Sequence, residues 1–355
     1  MQTKKFFDKL KDHSEIKLRI LRKFAVPWSA KLGRKVTLRK NDKLWYIDGF
    51  AGRAYYGDGA EGSPLIGAKQ ALGILKQNRG YQLGCINIEL DTGNYDNLCK
   101  ATRPYGEDGV LIYNIQGDFS ENIPKILEII GSDDPILLFI DPFGLSPLKF
   151  DKLSPLIKRS GEVDVVITLN TRAVARLVAD HPDIIASAIG SSEWNHGGTD
   201  ALETFGSNLQ QEGRFLTVVN YPIREEVRSS PRYHLVMASR HPDAFELLND
   251  MVLQEETQLS RKAYANLIQS SFLLQMDEEE NRRKLLSLIL DFVRGHSQVN
   301  RSEIIQKLVL DYWGNWHTSE MKQAVWGLID SGNLLRNSSA KSNIDSDILT
   351  LGNHS

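Results

Sequence analysis

The segment Leu44–Gly52 constrains the fold most, because it combines an apolar run with an acid and a glycine turn. It opens as a short buried strand, and Asp48 stands where that strand ends. Gly49 and Gly52 follow, and glycine lets the backbone turn sharply and approach a ligand closely. In open α/β sheets, ligands bind beyond the carboxyl ends of the strands. The segment therefore predicts a strand, a tight turn and a candidate ligand site in succession.

Apolar runs alternate with helical patterns over the first half of the chain, which predicts a parallel sheet covered on both faces. The predicted strands span 43–48, 84–90, 109–115, 135–140 and 163–169. A helix over 14–32 precedes them, with a kink or early end expected at Pro27. Strand-like runs at 214–222 and 232–239 predict an antiparallel pair at the sheet edge. The fold class is therefore α/β, mostly parallel with an antiparallel edge hairpin.

The length of 355 residues suggests two domains, or one large domain with an appendage. We expect an α/β domain over 1–256, with a mainly helical insertion at about 172–212. A polar, acid-rich stretch over 257–280 is expected to be a linker. Residues 281–355 predict three helices and then a small ribbon, an order typical of a winged helix-turn-helix domain.

Charge is distributed unevenly along the chain. The formal charge is −2, yet residues 1–40 hold 13 Lys/Arg against 3 Asp/Glu. A segment with such an excess of Lys/Arg can bind along a phosphate backbone, although a solvated basic helix explains the excess equally well. The two cysteines are too few for a disulfide framework or a zinc site, and we expect no metal. Because neither a signal peptide nor a membrane helix is apparent, we expect a cytoplasmic protein without membrane association.

Acidic residues follow four of the predicted strands: Asp48, Glu89, Asp118 and Asp141. The carboxyl ends of parallel strands meet at one edge, so a single crevice would gather these side chains. A glycine turn can admit a carboxylate-bearing chain to backbone N–H groups. An acid after strand two can accept from both ribose hydroxyls, and one after strand three from an adenine amino group. The alternative is that each acid caps a helix or a turn.

This layout resembles the S-adenosyl-L-methionine site of the class I methyltransferase fold, a Rossmann-like sheet. The residues expected to bind this cofactor are Asp48, Gly49, Phe50, Ala51, Gly52, Glu89, Asp118 and Phe119. Lys17, on the first helix, could reach a phosphate or the cofactor carboxylate, but a solvated surface lysine is the simpler interpretation.

The segment Asp141-Pro142-Phe143-Gly144 is expected to face the substrate. Methyltransferases that act on amino groups carry an acid or amide, two prolines and an aromatic there. The acid accepts from the target amino group, and the aromatic stacks on an extruded base. Here Phe143 replaces the second proline and Gly144 the aromatic, so Phe143 would stack from a different angle. The expected catalytic residues are Asp141, Pro142 and Phe143, and a rigid structural turn is the alternative.

Several motifs together resemble the three-Cys-motif partner (TcmP) proteins, over roughly residues 13–255. They are Asp48-Gly49-Phe50-Ala51-Gly52, Asp58-Gly59, Gly62-Ser63-Pro64-Leu65-Ile66 and Phe139-Ile140-Asp141-Pro142-Phe143-Gly144, with the pattern from His13 to Trp28. The resemblance implies a bacterial protein with a methyltransferase-like core. Such proteins are often encoded beside a radical-SAM-type protein with three clustered cysteines, which is the implied partner. Ala54 stands where similar proteins often carry a glycine.

Three functional hypotheses follow. The first is an S-adenosylmethionine-dependent methyltransferase acting on nucleic acid, DNA or RNA, with a base amino group as the candidate target. The second is a non-catalytic adaptor that binds nucleic acid or a three-Cys-motif protein through residues 1–40 and the winged unit. The third is a metal-dependent phosphoesterase, which the sequence favours least because it offers no closely spaced carboxylate pair.

Overall fold

The computed structural model describes residues 12–38, 43–194, 197–224, 226, 229–231, 233–264, 271–337, 345 and 347–352, without the side chains of 12, 261–264 and 271–277. The chain divides into two compact units, Met1–His241 and Pro242–Ser355. In the described residues, no helix combines the length and apolar character needed to cross a membrane.

The first unit is built around a seven-stranded sheet. Its elements are α1 (Asp12–Leu38), β1 (Lys43–Asp48), α2 (Ser63–Lys76), β2 (Gln82–Glu89), α3 (Thr92–Glu107), β3 (Ile112–Gln116), α4 (Phe119–Ile129), β4 (Ile136–Ile140), α5 (Phe150–Ile157), β5 (Val163–Leu169), α6 (Thr171–Leu177), α7 (Pro182–Ile189), α8 (Gly198–Gly213), β6 (Thr217–Ile223) and β7 (Tyr233–Ser239). The strand order is β3-β2-β1-β4-β5-β7-β6.

Strands β1 to β5 pair in parallel, and β7 pairs antiparallel with both β5 and β6. The sheet is therefore mostly parallel with an antiparallel edge, and the predicted α/β fold class of this unit is confirmed. Residues from strands and from helices α4 to α8 share one large hydrophobic cluster, in which Ile86, Leu138 and Ile167 are fully buried. The central strands therefore form a rigid platform, and their carboxyl ends present the loops at one edge.

Helix α1 is longer than its sequence predicts and continues past the early end expected at Pro27. Its second half is held by buried apolar residues, including Leu32 and Val36. The indole Nε1 of Trp28 donates a hydrogen bond to Asp164 Oδ2 at 2.8 Å, which ties α1 to β5. These tertiary contacts stabilise the helix beyond Pro27, although a proline inside a helix by itself favours a kink or an end.

The second unit combines helices with a three-stranded antiparallel sheet of order β8-β10-β9. Its elements are α9 (Pro242–Tyr264), α10 (Ser271–Arg294), β8 (Val299–Asn300), α11 (Arg301–Asp311), α12 (Thr318–Asp330), β9 (Leu334–Arg336) and β10 (Ile348–Leu351).

The expected domain limits need correction, because helix α9 belongs to the second unit and not to the α/β domain. The fully buried side chain of Asn249 on α9 accepts from Gly314 N and donates to Trp316 O, each at 2.8 Å. Asp250 accepts from the backbone N of Thr318 at 2.7 Å. The expected linker over 257–280 is also largely helical, since it falls on α9 and α10, with 265–270 outside the described residues.

We predict that Trp28→Phe lowers the free energy of unfolding by about 1–3 kcal/mol, because it removes a donor from the buried Asp164 carboxylate. Chemical denaturation monitored on the first unit measures the loss. The control is Val26→Ala on the same helix, whose side chain is exposed. Equal stability of the two variants would contradict the anchoring role of Trp28.

Candidate functional site at the carboxyl edge of the sheet

Two adjoining clefts lie at the carboxyl ends of the parallel strands. The larger encloses about 1120 Å³ including its open mouth. The smaller encloses about 630 Å³ on the same measure. Phe50 and Phe143 line both clefts, so the two spaces meet at these rings. We refer to the two adjoining clefts together as the groove, with the larger cleft as its wide end and the smaller cleft as its narrow end.

Asp48 lies beneath the glycine turn and is fully buried. Its Oδ1 accepts from the backbone N of Phe50 at 3.3 Å, and its Oδ2 accepts from the Tyr46 hydroxyl at 3.5 Å. The pKa of this carboxyl is raised to about 7, chiefly by burial and to a smaller extent by the charges of Asp141 and Glu89, while its hydrogen bonds oppose the rise. Asp48 is not among the residues lining either cleft, so its direct part is to hold the turn.

Glu89, at the end of β2, lines the larger cleft and is 5% exposed. Its Oε2 accepts from the backbone N of Gly52, and its Oε1 from the backbone N of Asp91, both at 2.8 Å. Burial raises the pKa of the carboxyl, while these backbone donors lower it. A carboxylate has about four acceptor positions, so Glu89 retains capacity for ligand hydroxyls.

Asp118 also lines the larger cleft and caps helix α4. Its Oδ1 accepts from the backbone N of Ser120 at 2.9 Å and of Glu121 at 3.2 Å. Asp118 therefore caps a helix, as the alternative interpretation of the strand-end acids expected. Both capping bonds use Oδ1, so the cap does not involve Oδ2. The neighbouring Phe119 is buried and packs on Phe50, with ring centroids 5.8 Å apart.

The turn after β1 depends on unusual backbone geometry. A Cβ at Gly49 would lie 3.0 Å from the ring of Phe119, so a larger residue there would require the ring to move by a few tenths of an ångström. Gly52 has φ 63°, in the left-handed region that glycine adopts readily. Ala54 has φ 70° and is 3% exposed, so its methyl group sits in a conformation that favours glycine. Ala51 and Ala54 both line the smaller cleft. Compared with a glycine at position 54, the Ala54 methyl group narrows this cleft.

Asp141, after β4, lines the smaller cleft and is paired with Lys17. The Lys17 Nζ donates to Asp141 Oδ1 at 2.6 Å and to Oδ2 at 2.5 Å. The Lys17 side chain is only 5% exposed, so the expectation of a solvated surface lysine is wrong. The face of α1 that carries Lys17 points into the protein. Its ammonium pairs with Asp141, which lies 124 residues further along the chain.

Phe143 is 51% exposed, an unusual exposure for a large apolar side chain. It stands where the clefts meet, whereas Pro142 lines only the smaller one. Sequence reasoning missed two further residues of the smaller cleft, Tyr233 and His13, whose rings lie 5.3 Å apart. Tyr233 starts β7 and its ring centroid lies 5.0 Å from Lys17 Nζ. No local motif marks it, since only the sheet order brings β7 to this edge.

The donors and acceptors of the groove fit an adenosyl amino-acid ligand. The wide end offers the carboxylates of Glu89 and Asp118 together with Phe119, which suits ribose hydroxyls and a purine. The narrow end offers the Lys17 ammonium and the glycine turn. Close packing of Gly49 on Phe119 shapes the passage between them. Among the described residues, no three His, Cys, Asp or Glu side chains are grouped as metal ligands would be.

Comparison with known proteins gives structural resemblance only. No family model matches the sequence. No curated protein matches it either. The structure resembles Trm1 from Pyrococcus horikoshii with S-adenosyl-L-methionine, at 10% identity and a TM-score of 0.36, over 65% of this chain and 58% of that one.

Two other solved structures are similar to a comparable degree. The O-methyltransferase from Bacillus cereus with SAH is 8% identical with a TM-score of 0.32, over 65% of this chain and 83% of that one. TYW2 from M. jannaschii with AdoMet is 11% identical with a TM-score of 0.28, over 59% of this chain and 74% of that one. At these values the likeness carries no information about activity, and the chain spans just 58% of the Trm1 structure.

We predict that Asp48→Asn changes the pH dependence of stability. A pKa raised to about 7 means that wild type binds an extra proton when folded, so Asp48 destabilises the fold increasingly from about pH 4 to pH 7. Asparagine cannot ionise, so the variant gains relative stability over that range, by up to roughly 4 kcal/mol above pH 7.

Denaturant titrations of both proteins at pH 4.5, 6 and 8 measure this difference. Asp180→Asn, at an exposed position, serves as the control and should show no such trend. A difference between Asp48→Asn and wild type that stays constant with pH would refute the raised pKa of Asp48.

Proposed function

We propose that this protein is an S-adenosylmethionine-dependent methyltransferase that acts on nucleic acid, with a base amino group as its target. The observation that carries the proposal is the two-part groove at the carboxyl edge of a β3-β2-β1-β4-β5-β7-β6 sheet. Acceptors for an adenosine lie at its wide end, and a buried cation lies at its narrow end. The exposed Phe143 ring stands between them.

The cofactor-binding roles follow from position in the groove. Glu89 accepts from the ribose hydroxyls, Asp118 accepts from the adenine amino group through Oδ2, and Phe119 packs beside the base. Asp48 holds the turn of Gly49, Phe50, Ala51 and Gly52 from beneath, through its bond to Phe50 N. The sulfonium of the bound cofactor supplies an activated methyl group, so the protein's task is to position the two reactants.

The segment after β4 is assigned to binding the base that is methylated. Phe143 is exposed at the junction of the clefts, where an extruded base can stack on it. Asp141 keeps acceptor positions beyond the two that Lys17 uses, and these accept from the target amino group. Pro142 holds the turn rigid between them.

A basic surface on α1 supports a polyanionic partner. Arg22, Lys31 and Arg34 are exposed on this helix, while Lys17 faces inward. Exposed cations on one helix can contact the phosphates of a nucleic acid. Of the basic segment 1–40, the structure describes only 12–38. The nucleic acid would then run along α1 while one base enters the groove.

The second unit supports a winged-helix assignment and a second candidate function. Its order α10-β8-α11-α12-β9-β10 is that of a winged helix, with α12 as the recognition helix. The exposed residues of α12 are Ser319, Glu320, Gln323, Trp326, Gly327 and Asp330. Two acids and a tryptophan are poorly suited to phosphates and better suited to a protein.

The second candidate is therefore an adaptor that partners a three-Cys-motif protein through this unit, which also fits membership of the TcmP family. A metal-dependent phosphoesterase is disfavoured, because the carboxylates of Glu89 and Asp118 are each engaged by backbone N–H groups. The adaptor and the methyltransferase are not exclusive, since they use different units of the chain.

We predict that the full chain binds S-adenosylmethionine and that Glu89→Gln weakens this binding about tenfold, as expected for a lost charge-assisted hydrogen bond. Isothermal titration calorimetry measures both affinities. Glutamine keeps one acceptor, which can serve Gly52 N, but its NH2 group cannot accept from Asp91 N, so the loss of that second bond forms part of the expected effect. Gln116→Ala, on an exposed side chain at the end of β3, is the control. Absence of wild-type binding would remove the proposal.

We also predict that Phe143→Ala reduces methyl transfer to nucleic acid about 5- to 150-fold, while cofactor affinity changes little, because base stacking contributes about 1–3 kcal/mol. Transfer of a labelled methyl group to mixed RNA and to DNA measures the rate. Tyr113→Ala removes an aromatic of comparable exposure outside both clefts and should leave the rate unchanged. Cofactor binding without transfer to either nucleic acid would favour the adaptor.

A further inference from the structure

Lys17 is a buried cation whose role neither the fold nor the expected site accounts for. Its side chain is 5% exposed, and its Nζ donates to both oxygens of Asp141. Burying an ammonium is costly, and a surface ion pair would stabilise the protein about as well. An ammonium has three donors, so one N–H remains after the two bonds to Asp141. A buried ion pair is weak evidence for stability, so the oriented ammonium in this cleft is a candidate for ligand binding.

We propose that Lys17 binds the α-carboxylate of S-adenosylmethionine and of its product, with Asp141 acting as the group that orients the ammonium. The inference rests on the proposed function, because it takes the wide end of the groove to hold adenosine. From there, a short chain passing Phe50 enters the narrow end, where Lys17 and the glycine turn lie. The ligand's only carboxylate is at the end of that chain.

The charge pattern of the narrow end favours an amino acid over a phosphate. Lys17 and Asp141 already form a neutral pair, so a dianionic phosphate would bring uncompensated negative charge beside Asp141. An α-amino acid is a zwitterion and carries its own ammonium next to the carboxylate. Positive and negative groups can then alternate along the cleft. The phosphate-binding cations proposed above, Arg22 and Arg34, are instead exposed on α1.

Three elements hold the Lys17 side chain in place. It projects from α1, bonds the segment after β4 through Asp141, and lies 5.0 Å from the ring centroid of Tyr233 at the start of β7. A long lysine side chain loses considerable rotamer freedom when it binds a ligand. Because these contacts fix the side chain in advance, that cost is met before the cofactor arrives.

The test compares two ligands that differ in the amino-acid end. S-adenosylhomocysteine carries the α-carboxylate, and 5′-methylthioadenosine has the adenosine and thioether without it. In calorimetry, Lys17→Met should weaken S-adenosylhomocysteine binding roughly 10- to 100-fold, the range for a hydrogen bond between charged groups. Affinity for 5′-methylthioadenosine should stay within about twofold of wild type, which also shows that the variant folds. Lys76→Met, at an exposed position at the end of α2, should change neither affinity.

A double variant separates lost attraction from new repulsion. Lys17→Met alone leaves Asp141 without its counterion, and the free carboxylate would itself repel the α-carboxylate. In Lys17→Met/Asp141→Asn that repulsion is absent, and the selective loss for S-adenosylhomocysteine should persist. Recovery of wild-type affinity in the double variant would overturn the inference.

Equal weakening of both ligands, or none, in Lys17→Met would also overturn it. Failure of 5′-methylthioadenosine to bind wild type would instead count against the adenosine site, and hence against the proposed function.

Discussion

The hydrogen bond between Glu89 Oε2 and the backbone N of Gly52 is the contact on which the organisation of the site depends. It joins the end of β2 to the turn after β1 at 2.8 Å, so one carboxylate fixes the relative position of two neighbouring strand ends. Gly49 then lets Phe119 pack beneath the turn, and Phe50 lies over Phe119. The wide and narrow ends of the groove are separated by this packing. A backbone hydrogen bond from Ala51 N to Ile88 O, at 2.9 Å, ties the same turn to β2 a second time.

Several carboxylates lie at this edge of the sheet, and each has a different environment that reduces its charge or compensates for it. Asp48 is fully buried and its pKa is raised to about 7, so it is partly neutral near neutral pH. Asp141 is compensated by Lys17, and Glu89 by two backbone N–H groups. Repulsion among the acids is therefore reduced by different means at each position. A ligand with a positive sulfonium and polar hydroxyls suits the residual charge.

Much of the first unit could be predicted from its sequence, because apolar strand runs, helix signals and glycine turns are local. The acids at the strand ends could also be located, since parallel strands end at one edge. The Lys17–Asp141 pair could not, because its members are 124 residues apart and a basic helix is equally compatible with solvent. The boundary near residue 256 failed for a related reason. The side chains of Asn249 and Asp250, which tie α9 to the second unit, look like ordinary polar residues of a surface helix.

A crystal structure of the full chain grown with S-adenosylhomocysteine gives the most direct measurement of where this groove binds. We predict that the ribose hydroxyls contact Glu89, that the adenine lies between Asp118 and Phe119, and that the amino-acid end reaches past Phe50 toward Lys17. Density for the ligand elsewhere on the molecule, or a groove filled by the protein's own side chains under saturating ligand, would contradict a nucleoside site at this edge.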